Sequence, residues 1–146
     1  MRKNFVIKPR DCVGPFELGM TRVEIWAQER CPIISYFPQS HSKVRSDDIT
    51  LLGIHVHYNE VRETANQISV FTKVRNKNAV DFVLFDEIIN DFQRQDIETL
   101  LELNEVSSEL EDSSIKCTDL GLVFGFLDDE DIEWSIQQLD YVNVFQ

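Results

Sequence analysis

A chain of 146 residues with 42% hydrophobic and 27% charged residues has the composition of a domain folding around its own core, which excludes the disordered and fibrous classes. No apolar run reaches the roughly 18 residues that a membrane-crossing helix needs, and "MRKNFVIKPRDC" has no apolar leader core, so a cytoplasmic protein without a membrane partner is expected. The net charge of −12 is held unevenly: Met1 to Lys77 carry 12 Lys and Arg against 8 Asp and Glu, whereas Asn78 to Gln146 carry 2 against 18.

Along the chain, "NFVIKPRDC" predicts a strand from Asn4 to Ile7, and Gly14, Pro15 and Gly19 mark corners at which no central strand continues. A helix starts at Thr21, which can cap it, with Glu24 three residues on to complete a capping box and Pro32 to end it. After a polar connector from Gln39 to Asp48, "TLLGIHVHYNE" and "NQISVFTKV" alternate apolar and polar residues and predict an antiparallel hairpin. "AVDFVLFDEI" supplies a third strand around Val80 to Phe85. The stretch that follows it places Ile88, Ile89 and Phe92 on one stripe and Ile97, Leu100 and Leu101 on another, which predicts two short helices or one kinked one. "SSELEDSSIK" is expected as a loop, and the C-terminal segment as a second hairpin in which Trp134 and Ile136 pair back on Leu122, Phe124 and Phe126.

The two hairpins resemble each other. Leu52 matches Leu120, Gly53 matches Gly121, Tyr58 matches Phe126 and Ser69 matches Ser135. The expected fold is therefore α+β, an antiparallel β-sheet with helices packed on one face, in a single domain over 1–146 with candidate helix-plus-hairpin repeats at 1–77 and 78–146.

Few residues form a chemical constellation. His55 and His57 share a strand face at a spacing that suits zinc or copper, but His41 lies in the connector and no third ligand has a fixed relation to the pair, so no metal is expected. Cys12, Cys31 and Cys117 are odd in number and show no CxxC spacing, which fits reduced thiols used as small hydrophobes. "LDDEDIE" lacks the spacing of an EF-hand loop, and neither GxSxG nor a Gly-rich phosphate loop occurs. No catalytic residue, no cofactor and no enzyme activity are expected.

Charge is the stronger signal. An acidic half repels nucleic-acid phosphates and attracts cationic proteins, so direct nucleic-acid binding is not expected and a basic protein partner is. The residues selected for contact with it are Asp86, Glu87, Asp91, Asp96, Asp128, Asp129, Glu130, Asp131, Glu133 and Trp134.

"VGPFELGMTRVEIWAQ", Val13 to Gln28, resembles the opening of many small bacterial proteins of unassigned function and of immunity proteins for polymorphic toxins, including those of contact-dependent growth inhibition. Its "LGMT", Leu18 to Thr21, is also similar to the helix start in outer-membrane assembly lipoproteins and β-lactamase-inhibitor-like folds, although the leader and lipidated Cys of a lipoprotein have no counterpart here. The first resemblance implies a cytoplasmic, monomeric, acidic inhibitor that caps a cognate basic toxin domain, a nuclease, in a 1:1 complex. Three alternatives from other classes stay open at this point: a protein-interaction adaptor, a nucleic-acid mimic and a metal-dependent enzyme.

Overall fold

The computed structural model describes residues 3–72, 80–127 and 132–146. The first half builds β1 (Lys3–Lys8), β2 (Cys12–Val13), β3 (Phe16–Glu17), α1 (Arg22–Trp26), β4 (Ile34–Tyr36), β5 (Ser46–Ile49), β6 (Ile54–Tyr58) and β7 (Ala65–Phe71). The second half builds β8 (Val80–Leu84), β9 (Glu87–Ile88), α2 (Arg94–Leu103), β10 (Glu109–Leu110), β11 (Ser114–Cys117), β12 (Leu122–Phe126) and β13 (Leu139–Phe145).

These elements make a mostly β protein and not the α+β arrangement of one sheet with helices on a face. There are two sheets, one of five strands in the order β3-β2-β1-β8-β9 and one of eight in the order β10-β11-β12-β13-β7-β6-β5-β4. Among the described residues only α2 reaches seven residues, and α1 has five. Nor is pairing antiparallel throughout: β1 and β8 run parallel, with Phe5 opposite Phe82.

Two local causes explain the missing helix and the displaced strand. Phe85 and Asp86 both take left-handed backbone, φ 49° and 65°, so the chain reverses in a two-residue turn and β9 pairs back on β8 where a helix was expected. Trp134–Ile136 form a 3-10 turn, and the strand returning on β12 is Leu139–Phe145, so the position that matches Ser69, which faces His55, is Asn143, which faces Val123, and not Ser135. The expected loop at Ser107–Lys116 holds a β10–β11 hairpin.

The larger sheet has an internal correspondence. β5, a 3-10 turn at Thr50–Leu52, left-handed Gly53 and β6 match β11, a 3-10 turn at Thr118–Leu120, left-handed Gly121 and β12. Register agrees as well, since Asp47 faces Val56 and Ile115 faces Phe124. Both helices are entered through a capping box, Thr21 with Glu24 and Gln93 with Asp96, and both cap residues bridge a chain just before the last strand of their unit, Thr21 to Thr64 and Gln93 to Gln138. The two units meet where β7 pairs with β13.

One apolar cluster joins everything. The inward residues Ile54, Val56, Ile68, Val70, Leu122, Phe124, Val142 and Val144 are fully buried, and Phe5, Phe82 and Leu84 of the smaller sheet and Ile97 and Leu101 of α2 belong to the same cluster. Arg10 ties the sheets at the surface, its guanidinium donating to the carbonyls of Thr118 and Asp119. No helix among the described residues is long and apolar enough to cross a membrane.

Candidate functional site

α2 turns Ile97, Leu100 and Leu101 inward, which leaves Asp96, Thr99 and Leu103 outside. The β8–β9 turn brings Glu87 to the same place, and Phe92 closes the gap between strand and helix. The result is a groove of about 220 Å³ lined by Glu87, Phe92, Asp96, Thr99, Leu100 and Leu103. Small-molecule pockets usually hold about 300–1,000 Å³, so this groove suits one or two side chains of a partner better than a metabolite. Leu103 is 76% exposed at its rim.

Of the residues selected from sequence, Glu87 and Asp96 meet in this groove. Asp96 also accepts a hydrogen bond from the Gln93 N–H at 2.9 Å, which closes the capping box and fixes its carboxylate at the helix start, where the helix dipole favours negative charge. Asp86 sits exposed in the hairpin turn and Asp91 exposed between β9 and α2. Asp128, Asp129, Glu130 and Asp131 lie outside the described residues. Glu133 is exposed and starts the 3-10 turn.

Trp134 has a different place from the one expected. Its indole N–H donates to the Asp112 carbonyl at 2.9 Å, and its ring lies 3.4 Å from the Arg94 guanidinium carbon. Arg94, the first residue of α2, is fully buried between Trp134 and Phe126, with the Phe126 centroid 5.1 Å away, and it donates to the carbonyls of Glu111, Asp112 and Ser114. Burial pulls its pKa below the usual guanidinium value, while Glu98, 3.8 Å away, and Asp112 oppose that shift. Trp134 thus holds the turn onto the helix, with 41% of its surface still exposed.

A second charged web, around a buried acid and a half-buried arginine, was missed from sequence. Asp47 is fully buried and its carboxylate accepts from Trp26 Nε1 at 2.7 Å, from the Tyr58 hydroxyl at 2.6 Å and from the Ser35 hydroxyl. Arg22 Nε lies 3.3 Å from it, and the Arg22 guanidinium stacks over the Tyr58 ring at 4.6 Å. Burial, then the hydrogen bond to Asp47, holds the Tyr58 hydroxyl far above the usual phenol range. Such a web fixes α1 to β4, β5 and β6.

His55 and His57 stack with centroids 4.7 Å apart and planes 10° apart; His55 Nε2 bonds the Tyr36 hydroxyl, and His57 Nδ1 the Ser46 hydroxyl at 3.0 Å. Among the described residues, no group of three or more His, Cys, Asp or Glu could hold a metal ion. Cys12 and Cys117 are buried and Cys31 half-buried; burial pushes the Cys117 thiol up to about 11 and raises that of Cys12.

Comparisons with protein-family models, curated proteins and solved structures find no match to this chain.

Proposed function

We propose that this chain is an immunity-type inhibitor that binds a basic toxin domain, a nuclease, through the acidic surface beside α2, as one copy on one copy. The observation that carries the proposal is the groove in which Glu87 and Asp96 flank Phe92, Leu100 and Leu103. An apolar centre with a charged rim is the usual anatomy of a protein interface, in which the apolar contacts set the lifetime of the complex. The rim acids speed encounter with a cation. The net charge of Asn78 to Gln146, 2 basic against 18 acidic residues, extends that field well beyond the groove. The Val13–Gln28 opening, similar to that of toxin-immunity proteins, supports the toxin as the partner class.

The test is capture of partners from the native cell at about 0.05 M and about 0.5 M salt, with the wild-type chain and with Asp86→Lys plus Glu87→Lys as baits. One basic nuclease-like protein is expected, whose activity the wild-type chain inhibits and whose recovery is lost both at high salt and with the variant. Binding of a partner that ignores salt and charge reversal would overturn the proposal and favour an adaptor with an uncharged surface.

A further inference from the structure

β9 is the outermost strand of the five-stranded sheet, with β8 its neighbour in that sheet. Leu84 and Glu87 flank the two-residue turn, and the Ile89 N–H donates to the Phe82 carbonyl at 3.0 Å. The Val83 and Ile88 pair between them is therefore a non-hydrogen-bonded one. Ile88 consequently turns its own N–H and C=O away from β8, toward an edge at which no strand among the described residues pairs with it.

The two faces of that edge differ in chemistry. On the outer face Val6, Val83 and Ile88 stand in register across β1, β8 and β9, with Val6 46% and Ile88 52% exposed. On the other face Glu87 turns into the groove with Phe92, Asp96 and Leu103. A strand laid along β9 would continue the row with an apolar residue opposite Ile88, and its alternate residues would point into the groove. There a lysine or arginine stem can lie on Phe92 and Leu103 while its charged head reaches Glu87 and Asp96.

We infer that β9 is a docking edge for an extended strand of a cationic partner, one in which apolar residues alternate with Lys or Arg and which adds to the five-stranded sheet beside β9. The inference rests on the acidic-docking reading above and names its mode. Affinity comes from main-chain hydrogen bonds with Ile88, and selectivity for positive side chains from Glu87 and Asp96.

The probe is a dye-labelled peptide of about ten residues alternating valine and lysine, set beside a twin N-methylated at the valines. N-methylation removes the donors that would meet the Ile88 carbonyl and leaves every side chain in place. Binding to the wild-type chain at low salt is expected, with the twin and the Ile88→Pro variant each weaker by about tenfold or more and slowed hydrogen exchange at the Ile88 amide. Proline suits an edge position whose N–H faces outward, and the methylated twin tests the same bond with the protein unchanged. Equal binding of peptide and twin, with loss on Glu87→Lys, overturns strand addition and leaves acidic docking standing. No binding of either peptide at low salt overturns both.

Discussion

The two units of the larger sheet solve one problem in two ways. Each places an arginine at the first position of its helix and stacks it on the aromatic residue that ends the matching strand, Arg22 on Tyr58 and Arg94 on Phe126. In the first unit the charge meets the buried Asp47, which also takes Tyr58, Trp26 and Ser35. In the second, Ile115 stands in the register place of Asp47, and Arg94 is held by three carbonyls and the Trp134 ring. The frame thus fixes where the cation goes, while its counter-charge can be a carboxylate or a set of dipoles. The first unit spends an acid inside; the second, with an apolar residue there, keeps its acids for the surface.

The sharpest way to break this comparison is Asp47→Ala. It strands a cation and three donors, and a loss of about 3–5 kcal/mol is expected in urea unfolding. Asp47→Ile with Arg22→Met, which removes both charges, should recover a large part of that loss. In the second unit Arg94→Ala should cost about 3 kcal/mol by leaving carbonyls unpaired around a void, and Trp134→Ala about 1–2 kcal/mol from the lost stack.

Third come the matched glycines. Gly53→Ala should cost at least about 1 kcal/mol for its left-handed backbone. Gly121→Ala should cost more than that backbone figure, because its Cβ would stand 2.2 Å from the Phe145 carbonyl oxygen. A loss of only about 1 kcal/mol at Gly121 in urea unfolding would contradict the clash.

The smallest effect is a pH limb that only the first unit has. Burial holds the His57 imidazole below its ordinary pKa of 6.5, and the register equivalent in the second unit is Gly125, beneath the Tyr141 ring. Below that ordinary value the unfolded chain binds a proton that the folded one refuses, so stability falls as pH drops through it. His57→Gln should flatten the part of the slope between about pH 7.5 and about pH 5.5 that this ring causes, as read from unfolding midpoints.

Much of this frame can be read from residues, but unevenly. The Thr21 and Glu24 capping box and the β6–β7 hairpin stand where cap chemistry and period-two alternation put them. β9 could not be read that way: Ile88, Ile89 and Phe92 have helical spacing, and nothing marks Phe85 or Asp86, neither of them glycine, as left-handed. β13 was obscured by Trp134 and Ile136, which look like strand residues but stack and turn. At the groove, Glu87 and Asp96 were legible as acids, whereas their meeting around Leu103 depends on the hairpin and the helix closing on each other. Asp47 was hidden for the opposite reason, since an acid in a polar stretch reads as solvated until its donors are counted.

The chain has two tryptophans, and each unit holds one. The Trp26 indole N–H sits on a carboxylate and the Trp134 ring under a guanidinium, so the two chromophores feel fields of opposite sign. The molecule therefore has a built-in pair of optical reporters, whose emission is expected to differ. Replacing either tryptophan by phenylalanine isolates the other, and the two fluorescence traces tell whether the halves come apart together or one after the other.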